Sequence, residues 1–145
     1  MSAASGRIEA GEHVFALRVY YEDTDAGGIV YYANYLKFAE RARTELLRLA
    51  GFEQSELSRR HRVLLTVRGC TVDYRAPARL DDLLEVRSRL TRLAGATLEA
   101  RQSIRRGGET LAELGLRVAC VRADGRPTRL PAPLKRALEP YLDVH

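Results

Sequence analysis

Tryptophan, methionine, cysteine and lysine are the residue types that this sequence lacks or uses least. Its 145 residues contain no tryptophan and only two cysteines, Cys70 and Cys120, which have neither C-x-x-C spacing nor a nearby histidine cluster. This pattern argues against a disulfide framework or a zinc site, so we expect two buried free thiols in a cytoplasmic protein. No apolar run approaches the roughly 18 residues of a membrane span. The N-terminal segment also lacks the basic and apolar regions of a signal peptide.

The charge of the chain is positive and is carried almost entirely by arginine. Twenty-four basic residues against 19 acidic ones give a net charge of +5, and only Lys37 and Lys135 are lysines. The arginines are scattered along the chain, as on solvated strands and helices. Nucleic-acid binding requires cations grouped on one face beside aromatic platforms, whereas this chain has its aromatic cluster in an acidic loop. We therefore expect no nucleic-acid partner, while an anionic ligand is compatible with the charge.

Length and composition indicate one globular domain. A chain of 145 residues with 46% hydrophobic and 30% charged residues can build a core of its own. The small and polar residues 1–12 predict a loose N-terminal arm. Residues 13–145 are predicted to form a single domain.

One long helix is predicted after the first strand, which covers residues 13–20. Apolar residues recur at spacings of three and four over residues 34–50, with Asn34 as the N-cap and Gly51 as the stop. On the polar face of this helix, we expect exposed positions for Arg41, Arg43 and Glu45.

The remaining elements are predicted to be strands and short helices. Alternation of apolar and polar residues predicts four strands, over residues 63–75, 83–93, 97–105 and 110–122. Short helical segments are predicted over residues 53–60 and 134–141. This order predicts an α+β fold, with one helix over a curved antiparallel sheet of about five strands.

The geometry of this fold predicts an oligomer. A helix of about 10–12 Å diameter covers about two strands spaced 4.7–4.9 Å apart, while the sequence offers about five. We expect apolar residues on the other strands to lack cover within one chain, for example Leu114, Leu116 and Val118. A second subunit paired edge to edge would supply cover and would place the candidate site at a subunit boundary.

The segment between the first strand and the helix carries the chemistry. Residues 21–35 read YEDTDAGGIVYYANY, and the helix N-terminus that follows can hold an oxyanion with unpaired N–H groups. Gly27 and Gly28 permit close approach of a ligand. A carboxylate at Asp25 facing such N–H groups is the minimum equipment for acyl transfer or hydrolysis. From the residues alone, an Asx turn at Asp23 or Asp25 is the simpler interpretation.

Residues 18–52 and 72–82 resemble the hot-dog-fold acyl-CoA thioesterases. The resemblance is to the YbgC-like (Tol–Pal-associated) group and to the related 4-hydroxybenzoyl-CoA thioesterases. It rests on the pattern D-x-D-x-x-G-(I/V)-V-(Y/W)-(Y/H)-x-x-Y, which runs from Asp23 to Tyr35. It implies a long central helix wrapped by an antiparallel sheet, with subunits that form dimers and often tetramers.

The resemblance also implies a mechanism. It makes Asp25 the catalytic carboxylate and the backbone N–H of Tyr32 the donor that polarises the thioester carbonyl. The YbgC-like group often has histidine at this position, but a backbone donor is unaffected by that change. Asp25 would either deprotonate water or attack the carbonyl to form a mixed anhydride. An ordinary aspartate is a weak base, so the first route requires burial of Asp25.

The substrate side of the site is also assigned by the resemblance. The residues expected to bind the substrate are Gly27, Gly28, Tyr31 and Tyr35, although the tyrosines could instead pack a dimer interface. Neither a metal nor a cofactor is expected, since coenzyme A is part of the substrate. Two alternatives are a module that binds acyl carrier protein and a hot-dog hydratase. The hydratase is disfavoured because the loop has no histidine.

Overall fold

The computed structural model describes residues 3–142 and shows one antiparallel sheet of six strands packed against a long helix. The order of strands in the sheet is β1-β2-β4-β5-β6-β3. The predicted α+β fold is confirmed. The strands are β1 (Arg7–Glu9), β2 (Glu12–Arg18), β3 (Val63–Tyr74), β4 (Leu83–Ala94), β5 (Thr97–Arg106) and β6 (Glu109–Arg122). The helices are α1 (Asn34–Leu49), α2 (Gln54–Glu56) and α3 (Ala132–Leu138), with short helical turns at Ala3–Ser5, Tyr21–Asp23, Leu57–His61 and Glu139–Tyr141.

Helix α1 is held on the sheet by the apolar side that its sequence predicts. It contacts β2, β4 and β5, and Ala39 and Ala42 in the middle of this side are fully buried, which lets the sheet approach closely. Gly51 follows the helix with φ +99°. Asn34 is the first helical residue rather than the N-cap, because its side-chain Nδ2 donates instead to the Asp23 carbonyl at 2.8 Å.

The sheet is better covered within one chain than the sequence predicted. Leu114, Leu116 and Val118 are buried, so the expectation that they lack cover is wrong. Val118 shares a buried cluster with Leu134 and Leu138 of the C-terminal helix α3, while Leu114 and Leu116 belong to the cluster that includes Ala39 and Ala42 of α1. Together α1 and α3 cover more of the sheet than one helix can.

Residues 3–12 are tied to the sheet and to α1, in contrast to the loose arm predicted over residues 1–12, of which residues 1 and 2 lie outside the described residues. Within this segment, β1 pairs with β2 and adds the sixth strand. Ser5 is tied down twice: its hydroxyl donates to Glu45 of α1 at 3.1 Å, and its carbonyl accepts from Nε2 of the buried His13 at 2.7 Å. Gly6 has φ +83°, and a Cβ there would collide with the Val14 carbonyl.

Strand β3 lies at the edge of the sheet, with β6 as its only strand neighbour among the described residues. Its apolar side chains Leu64 and Val67 are 49% and 44% exposed. Cys70 lies on the same strand and is exposed, so its predicted burial is wrong, whereas Cys120 is buried as predicted. A strand of 12 residues with a free edge is a surface that proteins normally cover.

Candidate active site

The loop before α1 is closed by backbone hydrogen bonds into a tight turn. Asp25 donates its N–H to the Ile29 carbonyl at 2.9 Å, and its own carbonyl accepts from Gly28 at 3.1 Å. Gly28 has φ +78°, a backbone conformation that side chains disfavour. A β-bridge between Thr24 and Val30 closes the turn. The sequence D-A-G-G therefore builds a rigid turn in front of the helix.

One oxygen of the Asp25 carboxylate is held by this turn and the other is free. Oδ1 accepts from the N–H groups of Gly27 at 2.9 Å and Ile29 at 3.2 Å. Oδ2 has no hydrogen bond within residues 3–142, and the residue is exposed. The Asx turn suggested by composition therefore exists, and it leaves one carboxylate oxygen available to a ligand. The burial that a general base at Asp25 would require is absent from this single chain.

Asp23 is instead part of the scaffold. Its Oδ2 accepts from the Tyr20 N–H at 2.8 Å. Its carbonyl accepts from the Tyr31 N–H at 3.2 Å and from the Asn34 side chain at 2.8 Å. The Asp23 side chain is buried. These bonds connect the end of β2 to the start of α1, so Asp23 sets the shape of the loop that carries Asp25.

The backbone N–H of Tyr32 is free at the start of α1. Within the described part of the chain, neither Tyr32 nor Ala33 donates its N–H to any acceptor. Such N–H groups at a helix N-terminus carry partial positive charge and attract an oxyanion. The free N–H of Tyr32 and the free Oδ2 of Asp25 thus lie at the two ends of one short segment.

Tyr74 fixes the position of Tyr32 from the end of β3. The Tyr74 hydroxyl donates to the Tyr32 carbonyl at 3.0 Å, and the two rings meet edge to face at 6.2 Å. Burial raises the pKa of the Tyr74 hydroxyl, which keeps this donor protonated. The sequence analysis did not identify Tyr74, because its role depends on a contact between residues 42 positions apart.

The two tyrosines expected to contact the substrate differ in position. Tyr31 is half exposed and stacks against Tyr32 with ring centroids 4.6 Å apart. Tyr35 is 3% exposed, and its hydroxyl accepts from the Ala78 N–H at 2.8 Å. Its buried, bonded side chain argues against direct contact between Tyr35 and a substrate. Gly27 and Gly28 lie in the turn that holds Asp25.

A cavity of about 280 Å³ lies between α1 and the sheet. Its wall includes the apolar side chains of Leu46, Leu47, Leu65, Leu90, Leu98 and Val118. Arg43 also lines it, half-buried and bonded to Gln102, so the predicted exposed position for Arg43 is wrong. Arg41 is exposed as predicted, and Glu45 is half-buried against Ser5.

Comparison with known proteins identifies the family. The model of the thioesterase superfamily matches residues 27–113, more than half of the chain. The chain belongs to the thioesterase superfamily. Among curated members of this superfamily, acyl-CoA thioesterase YbgC of Haemophilus influenzae is 43% identical over 124 residues, which are 85% of this chain and 91% of the relative. Acyl-CoA thioester hydrolase YbgC of Escherichia coli is 51% identical over 106 residues, 72% of this chain and 78% of the relative.

Solved structures of superfamily members share the fold. A probable thioesterase from Bartonella henselae superposes with a TM-score of 0.80 at 37% identity, over 83% of this chain and 99% of that one. The likeness confirms the hot-dog fold expected from the resemblance. No helix of residues 3–142 combines the length and apolar character needed to cross a membrane.

Proposed function

We propose that the protein hydrolyses acyl-CoA thioesters to a free acid and coenzyme A. The observation that carries the proposal is that one short loop has a free carboxylate oxygen, on Asp25, near its start and a free N–H, on Tyr32, at its end. Membership of the thioesterase superfamily and the named activity of the YbgC relatives support the same reaction.

In the proposed mechanism, the thioester carbonyl accepts a hydrogen bond from the Tyr32 N–H. Asp25 Oδ2 removes a proton from water as the water oxygen bonds to the carbonyl carbon, and the resulting oxyanion stays on the Tyr32 N–H. The C–S bond then breaks, and the proton passes to the thiolate of coenzyme A. In the other route, Oδ2 itself bonds to the carbonyl carbon, the C–S bond breaks, and water hydrolyses the mixed anhydride. The general-base route requires burial of Asp25, which is exposed in one chain, whereas the nucleophilic route does not.

Substrate contacts are proposed for the loop that carries Asp25 and for the cavity between α1 and the sheet. Gly27 and Gly28 lack side chains, so the substrate can approach the backbone closely. Tyr31 is exposed beside Tyr32 and offers an aromatic surface. An acyl carrier protein could present the same thioester, and a cytoplasmic location stays a prediction from the sequence.

We also propose that two copies pair through the free edge of β3, as a dimer or within a tetramer. Exposed apolar side chains on this strand support the pairing, because a paired neighbour would satisfy its open N–H and C=O groups. Tyr74 at the end of β3 contacts Tyr32, so the site would lie next to the partner subunit. Pairing would also supply burial for Asp25, which is exposed in one chain.

The catalytic proposal is tested by Asp25→Asn with Asp23→Asn as the matched control. Asparagine at position 25 keeps an oxygen for the Gly27 and Ile29 N–H groups but loses the charge. We expect thiol release from a panel of acyl-CoAs to fall by about 10²–10⁴-fold, while substrate binding and melting temperature change little. Asp23→Asn should lower activity only in proportion to lost stability. Near-normal turnover in folded Asp25→Asn would contradict the proposal, and equal inactivity at equal stability would make Asp23 share the role.

The subunit proposal is tested with Leu64→Lys, which puts a charge on the free edge of β3 at a residue outside the cavity wall. Light scattering at micromolar concentration should show an oligomer for the wild type and a shift toward 16.3 kDa for the variant, with loss of thioesterase activity. A fully active species of 16.3 kDa would contradict it.

A further inference from the structure

The cavity between α1 and the sheet has one cation in a wall that joins apolar side chains with Glu40, Gln54, Thr66 and Ser88. Arg43 is on α1 with a half-buried side chain, and its Nη1 donates to Gln102 Oε1 at 2.9 Å. Gln102 is almost fully buried on β5, and its Nε2 donates to Ser88 Oγ at 2.9 Å and to the Ala39 carbonyl at 3.0 Å. Every side-chain polar atom of Gln102 is therefore engaged, which fixes its oxygen toward the guanidinium.

The anionic group in the same cavity wall is Glu40, whose charge acts on Arg43 without a close contact. No carboxylate of residues 3–142 forms an ion pair with Arg43, and its printed hydrogen bond goes to a neutral amide. Burial lowers the pKa of the guanidinium, while Glu40 and Cys70 raise it, and arginine stays protonated in proteins. Removing an unpaired charge from water is costly. Glu40 is exposed, where water screens its carboxylate.

Helix α1 and strand β3 each extend from the candidate active site to the cavity. Helix α1 begins beside Tyr32, and Glu40 in the cavity wall is eight residues further on, about 12 Å along the helix axis. Strand β3 reaches Tyr32 at Tyr74 and lines the cavity at Leu65. The Arg43 guanidinium reaches Gln102, whose amide also bonds to the Ala39 carbonyl one helical turn nearer the loop.

We propose that the cavity receives the acyl group and that Arg43 selects acyl groups that end in a carboxylate. The proposal rests on the proposed thioesterase function and names its substrate class, the half-thioesters of dicarboxylic acids. With the thioester carbonyl on the Tyr32 N–H, the acyl chain lies along α1 against the leucines. Its terminal carboxylate accepts charge-assisted hydrogen bonds from Arg43, so the ligand supplies the close anionic partner that Arg43 lacks among residues 3–142.

The test compares acyl-CoAs matched in length. Thiol release is measured for succinyl-, glutaryl-, adipoyl- and suberyl-CoA and for their uncharged counterparts from butyryl- to octanoyl-CoA. At one chain length or more, the wild type should have a kcat/KM for the carboxylated member about tenfold or more above that for its neutral counterpart. If neither series releases thiol, the thioesterase proposal itself fails. If the neutral series is hydrolysed equally well or better at every length, the thioesterase stands and the role of Arg43 is refuted.

Two variants separate selection from a structural role. Arg43→Met removes the charge at similar length, and Gln102→Glu keeps Arg43 but gives it an internal carboxylate. In both, the ratio of carboxylated to neutral kcat/KM should fall about tenfold or more. Arg41→Met, on the exposed side of the same helix, is the matched control and should keep the wild-type ratio. A lower melting temperature for Arg43→Met with an unchanged ratio would show that Arg43 only joins the helix to the sheet and would overturn the proposal.

Discussion

Acidification should loosen the N-terminal segment, because a buried histidine holds it in place. His13 is 1% exposed, and its Nε2 donates to the Ser5 carbonyl. Its Nδ1 is buried and has no hydrogen-bond partner among residues 3–142. Burial lowers the pKa of His13, although Ser5 and the nearby Glu45 raise it in part. Protonation would place a second N–H on the ring with no acceptor for it.

The sign and the size of the effect follow from proton linkage. The unfolded chain takes up the proton near pH 6.5, while the folded chain resists it. The unfolded state therefore binds more protons below about pH 6.5, and the free energy of unfolding falls as the pH falls. One proton limits the slope to about 1.4 kcal/mol per pH unit.

The assay is urea unfolding between about pH 5.5 and 7.5 at constant ionic strength, on the wild type and on His13→Gln. Glutamine keeps a side-chain donor for the Ser5 carbonyl but cannot titrate in this range. The difference in free energy of unfolding between the two proteins should shrink as the pH falls. The carboxylates of Glu9 and Asp82, with lowered pKa values, titrate below this range. A difference that does not change with pH would refute the reasoning.

Two backbone contacts give further predictions. Gly6→Ala should lower the free energy of unfolding by about 1–3 kcal/mol, because the added Cβ meets the Val14 carbonyl at a positive φ; unchanged urea unfolding would contradict this. Tyr35→Phe removes the acceptor of the buried Ala78 N–H and should cost about 1–3 kcal/mol in the same measurement. A loss below about 0.5 kcal/mol would indicate that water replaces the hydroxyl.

Periodicity predicted the regular elements well. Strands expected over residues 83–93 and 97–105 are observed as Leu83–Ala94 and Thr97–Arg106, and the long helix ends one residue earlier than predicted. These elements have one side against the core, so local spacing carries the information. The N-terminal arm could not be predicted in this way, because its order depends on distant contacts such as that of Ser5 with Glu45.

The candidate site was partly visible in the sequence. The turn at Asp25 follows from its glycines and its carboxylate, which are local features. Gln102 is the polar residue in the inward row of β5, between Ala100 and Ile104. A polar residue inside an apolar row indicates a buried hydrogen-bond partner, which here is Arg43. The inward direction of Arg43 depends on the packing angle of α1, which the helical period alone does not give.

The hydrogen bond from Tyr74 to the Tyr32 carbonyl has a thermodynamic consequence. It joins the edge strand β3 to Tyr32, whose N–H is proposed to hold the thioester carbonyl. If copies pair through β3, subunit association and ligand binding both act on this bond and become linked equilibria. Linkage is reciprocal, so a ligand that binds the paired form more tightly by some factor strengthens pairing by the same factor. Dilution should then weaken the apparent affinity for substrate, and saturating substrate should protect the assembly against dilution.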